Sequence, residues 1–99
     1  FWRRHLADVA AEGFSAVEIS DAWLRIADLD DSRRRELRAI THDLGLDIPA
    51  VHVQRASVID RHAADANIAY HHASIEATAE LGAQVYSTGL HYPFNKAQL

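Results

Sequence analysis

Residues 42–53 read HDLGLDIPAVHV: the end of an amphipathic helix, a glycine, and an apolar run that closes on a histidine and a valine. The same phrase occurs before it as AAEGFSAVEIS (residues 10–20) and after it as AELGAQVYSTGLH (residues 79–91). The phrase glycines follow one another by 32 and then 37 residues, the length of one strand-plus-helix unit. Because a helix separates successive strands, the pattern predicts an α/β fold of about three units with parallel strands.

The glycine of each phrase predicts where a helix ends. A glycine just past a helix adopts the left-handed conformation at no steric cost, so Gly13, Gly45 and Gly82 are expected to terminate helices. The apolar residue after each glycine is expected to fold back on the last helical turn. The hydrophobic pattern then predicts helices over residues 2–12, 33–44 and 63–81, strands over residues 16–20, 47–54 and 83–91, and loops over residues 21–30 and 55–62.

Three local features refine these elements. Asp30, Asp31 and Ser32 precede the second helix and are candidate N-caps. Pro49 cannot donate a ladder hydrogen bond, so it predicts a bulge or a strand start. In the third helix, Ile68, Ile75 and Ala79 are predicted to face inward.

Length and composition narrow the class of protein. The chain has 99 residues, no cysteine, no methionine and a net charge of −4. A closed eight-stranded barrel needs roughly 250 residues and an open piece of parallel sheet leaves two bare edges, so we expect part of a longer protein. No apolar run approaches the ~20 residues of a membrane helix, and the acidic balance argues against nucleic-acid binding.

Strand alternation selects the candidate site residues. In residues 16–20, Val17 and Ile19 face one way, toward the helices, and Glu18 faces the other. In residues 47–54 the valines likewise face the helices, which places His52 and Gln54 on the inner face with Glu18. An inner-face carboxylate must be paired, hydrogen-bonded or solvated, so Glu18 either caps strand groups or accepts a substrate hydroxyl.

The last strand and the loop after the first add two candidates. His91 shares a face with Ser87 and Gly89, opposite Tyr86, and imidazole suits a metal, a proton transfer or a sugar hydroxyl. Each candidate histidine is equally open to a structural role as a satisfied residue of the core or rim. Trp23 follows the first strand and is either a pocket wall or a loop anchor. The pair His71–His72 on the third helix is predicted to place one ring half-buried and one in solvent.

At these residues the chain resembles the xylose isomerase-like TIM-barrel superfamily, which includes sugar-phosphate isomerases and epimerases. The matching phrases are residues 10–19, 44–52 and 76–83, in the family's order and spacing. The resemblance implies that residues 1–99 are a fragment of a single TIM-barrel domain. In the numbering of the whole barrel, the fragment runs from helix 1, which follows the first strand, through strand 4. The fold class is then α/β, a partial (β/α)8 barrel.

The resemblance also implies chemistry. A divalent metal, manganese or magnesium (Mn²⁺ or Mg²⁺), would be held by carboxylates and a histidine from the second half of the barrel, and the proton-shuttling glutamates would lie beyond residue 99. This fragment, inactive alone, would supply substrate contacts. Those contacts are Glu18, Trp23, His52, Gln54 and His91. The leading hypothesis is a cytoplasmic, metal-dependent sugar or sugar-phosphate isomerase or epimerase that works through an enediolate, with no nucleic-acid or membrane partner.

Three alternatives stay open. A keto-sugar lyase or deglycosidase would use the same parts. In the abasic-site endonuclease branch, histidines at the ends of the barrel's third and fourth strands bind zinc (Zn²⁺). His52 and His91, which end the second and third strands predicted for this chain, are similar in placement. There the family's His-Pro-Gly is replaced by His91-Tyr92-Pro93. The third alternative is a non-catalytic sugar-binding barrel. Many relatives form dimers or tetramers, so the partners implied are a small sugar and a second copy of the chain.

Overall fold

The computed structural model describes residues 2–89, which form alternating helices and parallel strands. The elements are α1 (Trp2–Ala11), β1 (Ile19–Ser20), a 3-10 turn (Ile26–Asp28), α2 (Asp31–Asp43), β2 (Ala50–Val53), α3 (Ala64–Glu80) and β3 (Val85–Thr88). Within these residues the strands make one sheet in the order β1-β2-β3, with both pairs parallel. The predicted α/β class and strand direction are therefore confirmed.

Strands β1 and β2 begin later than predicted because an irregularity interrupts their pairing at the amino-terminal ends. Ala16 pairs with Asp47 as an isolated bridge, whereas Ile19 pairs with Val51. The second segment thus has one extra residue, which is the signature of a bulge, and Pro49 lies inside it. The Pro49 carbonyl accepts hydrogen bonds from the main chain at the start of β3. The prediction that Pro49 marks a bulge or a strand start is confirmed.

Glycines end the helices as predicted. Gly13, Gly45 and Gly82 have φ values of +96°, +69° and +81°. After α2, the Leu46 N–H donates to the Thr41 carbonyl at 2.9 Å, the long-range bond of a Schellman cap. Leu46 is buried, so the apolar residue after the glycine does fold back on the helix.

The amino-terminal end of α2 is set by an aspartate. The helix begins at Asp31, two residues earlier than predicted, and the Asp30 side chain accepts from the Arg33 N–H at 2.8 Å. The predicted loop before it contains the 3-10 turn, which packs against α3 and whose Ile26 is buried in the core. Asp30 is therefore the N-cap among the predicted candidates.

The core lies between the helices and one face of the sheet. Ile19, Val51 and Val53 are about 1% exposed, and the fully buried Leu37 of α2 belongs to the same hydrophobic cluster. These valines and the isoleucine are the strand residues predicted to face the helices, so the alternation is confirmed. The opposite, inner face of the sheet carries the polar side chains described below.

The buried face of α3 differs from the prediction. Ile68 and Ile75 are 44% and 50% exposed, and Ala79 is exposed as well, so the predicted inward placement of all three is wrong. The helix instead turns His71, Ser74 and Thr78 toward the sheet. The two hydroxyls are buried at low cost because each donates to a carbonyl one turn earlier in the same helix, at 2.7 and 2.6 Å.

No helix within residues 2–89 is long and apolar enough to cross a membrane.

Candidate functional site

Three side chains share one level of the inner sheet face, at the carboxyl ends of the strands. Ser20, His52 and Ser87 are register partners across β1, β2 and β3. All are half-buried, and Nδ1 of His52 lies 3.0 Å from Ser87 Oγ, within hydrogen-bond distance. We call these residues the polar row. Each has a group that can donate and accept hydrogen bonds, as a polyhydroxylated ligand requires.

Glu18 lies on the same face but deeper. It precedes Ser20 by two residues, which places it about 7 Å farther from the carboxyl edge. Its side chain is exposed and has no hydrogen bond or ion pair within residues 2–89. The residue of β1 that stands level with His52 is therefore Ser20.

Trp23 and Gln54 flank the polar row. The Trp23 N–H donates to the Ser20 carbonyl at 2.9 Å, so the indole leaves from the turn directly after β1, and the residue is 38% exposed. Gln54 follows the last residue of β2 and is exposed. Both residues therefore lie at the edge at which the strands end, as predicted from their positions directly after the strands. His91 lies outside the described residues.

Asp21 is a residue of the site that sequence reasoning missed. Its carboxylate is buried and accepts from the N–H groups of Gln54 and Arg55 at 3.0 and 2.8 Å, while its own N–H donates to the His52 carbonyl at 3.0 Å. These bonds clasp the ends of β1 and β2 together. The sequence did contain a signal, because Asp21 comes directly after a strand. A carboxylate buried at that place needs N–H donors, which the end of the neighbouring strand can supply.

A second polar group lies behind the sheet, on the helix side of β3. The buried His71 ring bridges Tyr86 and the loop after β2, with Nδ1 2.6 Å from the Tyr86 hydroxyl and Nε2 2.7 Å from the Ala56 carbonyl. Because a carbonyl only accepts, Nε2 carries a proton, and in the neutral ring Nδ1 accepts from the tyrosine. Burial raises the pKa of Tyr86 to about 12. His72 is exposed, as predicted for one member of this histidine pair, whereas His71 is more deeply buried than the predicted half-buried ring.

No trio of histidine, aspartate and glutamate side chains within residues 2–89 is arranged to hold a metal ion. A cleft of about 680 Å³ does open at the amino-terminal ends of the strands, beside Arg38, Asp47 and Gln84. It lies at the wrong end of the sheet for chemistry, since parallel α/β folds place their sites where the strands end. The polar row is the better candidate site.

Comparison with known proteins bears on the fold. No protein-family model and no curated protein matches the chain. Among solved structures, the chain is similar to a xylose isomerase-like TIM barrel protein from Mycobacterium smegmatis, determined in complex with magnesium. The TM-score is 0.83 at 31% identity, and the match covers 97% of this chain but only 31% of that protein. The chain thus spans about a third of its neighbour's length. The resemblance to xylose isomerase-like TIM-barrel proteins, first predicted from three short phrases of sequence, is therefore confirmed, and residues 2–89 fold as part of such a barrel.

Proposed function

We propose that the whole protein is a sugar or sugar-phosphate isomerase or epimerase, and that the polar row forms part of its sugar-binding wall. The observation that supports this most directly is the alignment of Ser20, His52 and Ser87 at the carboxyl ends of three parallel strands. In a closed barrel this inner face lines the mouth in which TIM-barrel enzymes bind their substrates.

The row suits a sugar for a chemical reason. Each sugar hydroxyl both donates and accepts, and serine hydroxyls and a neutral imidazole offer both functions at fixed spacing. The row is half-buried, so a bound hydroxyl would exchange water for protein partners without a large desolvation cost. Gln54 and Trp23, at the ends of the neighbouring strands, extend the wall with an amide and an aromatic surface.

The reaction proposed is proton transfer at the carbon next to a carbonyl, through an enediolate. A divalent metal, when bound, stabilises the negative charge that develops on the substrate oxygens. The described residues do not fit such a metal, so we assign them the binding and orientation of hydroxyls only. We further propose a small sugar as partner, a cytoplasmic location and self-association of the barrel.

Solvent exchange tests this function. The whole protein is incubated in D₂O with Mg²⁺ or Mn²⁺ and a panel of ketoses, their phosphates and keto-glycosides, and the loss of sugar C–H signals is followed by NMR. We expect exchange for one member of the panel, removal by chelation, and a KM about tenfold higher for His52→Ala, since one polar contact to a hydroxyl is lost. His72→Ala, which removes an exposed imidazole from α3, is the matched control. Absence of exchange across the panel, or equal KM values in the two variants, contradicts the proposal.

The lyase, zinc endonuclease and non-catalytic alternatives remain predictions from the sequence. Loss of a keto-glycoside bond without isomerisation would favour the first. Cleavage of abasic DNA would favour the second, which depends on His91.

A further inference from the structure

We infer that Ser87 is a positioning residue that acts through His52, holding the ring by Nδ1 and leaving Nε2 as the atom that meets a sugar hydroxyl. The inference rests on the proposed function and adds to it the way in which one binding group is oriented. Because the bond between the two side chains exists without a ligand, it can be tested separately from the reaction.

The geometry leaves the imidazole with one side-chain restraint. Within residues 2–89, Ser87 Oγ is the hydrogen-bond partner of the His52 ring, at 3.0 Å, and neither that oxygen nor Nε2 has another partner. The His52 carbonyl is fixed independently by the Asp21 N–H at 3.0 Å. The main chain at residue 52 is thus held in place, while the angle of the ring depends on the serine.

Such a restraint has an effect because no other hydrogen bond within residues 2–89 fixes the angle of the ring. The torsion that rotates an imidazole about its bond to Cβ has broad, roughly two-fold preferences. Without the bond to Ser87, both ring nitrogens can reach the mouth, and a hydroxyl ligand meets a mixture of orientations. A preorganised ring avoids that cost of ordering on binding.

The sequence of β3 supports a dedicated role for the hydroxyl. Val85, Tyr86 and Thr88 are β-branched or aromatic, the types favoured in strands, and Ser87 is the exception at the level of His52. A small side chain there leaves space for the imidazole while its oxygen reaches Nδ1. A direct contact between Ser87 and the sugar is the competing explanation.

A double-mutant cycle in the whole protein separates the two explanations. We expect Ser87→Ala to raise KM about fivefold for the most rapidly exchanging sugar of the panel, with a smaller change in kcat, as for one neutral hydrogen bond. Ser87→Thr should restore the lower KM because it keeps the hydroxyl. In a His52→Ala background, Ser87→Ala should change KM no further. Thr88→Val is the control, since the Thr88 hydroxyl bonds the Val53 carbonyl and not the ring.

A second measurement needs no sugar. In the ligand-free protein, the ring ¹H and ¹⁵N signals of His52 should shift in Ser87→Ala, return in Ser87→Thr, and stay unchanged in Thr88→Val. Unmoved ring signals overturn the inference, and so does a fivefold effect that persists without His52. If no sugar exchanges at all, the proposed function fails, and the ring signals alone decide whether Ser87 orients His52.

Discussion

Tyr70 and Tyr86 allow one chemical change to be tested in two environments. Replacing either by phenylalanine removes a single hydroxyl and keeps the ring. The Tyr86 hydroxyl lies 2.6 Å from Nδ1 of the buried His71 ring. The Tyr70 hydroxyl is buried and makes no hydrogen bond of normal geometry within residues 2–89. Burial raises the pKa of Tyr70, and the nearby Arg25 guanidinium and Ser74 hydroxyl only partly offset that rise. The same substitution is therefore expected to change stability in opposite directions.

The magnitudes follow from what each change leaves behind. Tyr86→Phe leaves Nδ1 of the His71 ring without a hydrogen-bond partner, since Nε2 already donates to the Ala56 carbonyl. An unsatisfied buried group lowers the free energy of unfolding by about 1–3 kcal/mol. Tyr70→Phe removes a desolvated hydroxyl for which the nearby Ser74 compensates only in part, so the free energy of unfolding should stay the same or rise by up to about 1 kcal/mol. The two variants should differ by about 2 kcal/mol.

Urea unfolding of the whole protein, followed by circular dichroism at pH 7, measures both variants against the wild type. Equal destabilisation by the two substitutions would refute the reasoning, because it would mean that the Tyr70 hydroxyl has a partner. Burial raises the folded-state pKa of Tyr86 to about 12, above the unfolded value near 10. The unfolded state therefore loses its proton first, and this contribution to stability, complete below pH 10, is lost as the pH rises toward 12. Tyr86→Phe should flatten that part of the pH profile.

Two further substitutions test the clasp and the helix caps. Asp21→Asn should destabilise by about 1.5–3 kcal/mol and speed hydrogen exchange at residues 54 and 55, because the two main-chain N–H groups bind different carboxylate oxygens and the amide nitrogen that replaces one of them cannot accept. Asp8→Asn, on the exposed side of α1, is the control: it should change the free energy of unfolding by no more than about 0.5 kcal/mol and leave hydrogen exchange at residues 54 and 55 unchanged. Gly45→Ala should cost about 1–2 kcal/mol in thermal unfolding because its φ is +69°, whereas Gly89→Ala, where φ is not positive, should be nearly neutral. Equal Tm values for the two alanine variants would contradict the assignment of Gly45 as a cap.

The features predictable from sequence were those fixed by local chemistry. A glycine after a helix, as at Gly45, and a proline at a strand start, as at Pro49, act through their own backbone restrictions. The alternation of Val51, His52 and Val53 follows from strand geometry, so the inward face of β2 was also legible. These signals need no knowledge of the neighbouring elements.

Features that depend on a distant partner were not legible. The buried face of α3 was assigned to Ile68 and Ile75, but His71 occupies it because the Ala56 carbonyl and the Tyr86 hydroxyl satisfy the ring. Both partners lie fifteen residues from His71 in the sequence, on different elements. Hydrophobic periodicity carries no information about such pairings, since it counts a polar side chain as exposed.

The loop after β2 shows what the polar residues outside the row contribute. Asp21 holds the N–H groups of residues 54 and 55 from the β1 side, and His71 holds the carbonyl of residue 56 from α3. Asn67, also on α3, donates to the carbonyl of residue 57 at 2.7 Å. Four successive residues are thus fixed by side chains from two different elements, while the side chain of Gln54 stays exposed at the end of its strand. A loop held in this way loses little conformational entropy when a ligand binds, so Gln54 can contribute to affinity although it lies outside the sheet. Asp21 at the strand ends and His71 behind the sheet therefore both bear on the candidate site, and a loss of stability from a substitution at either residue should be accompanied by weaker sugar binding.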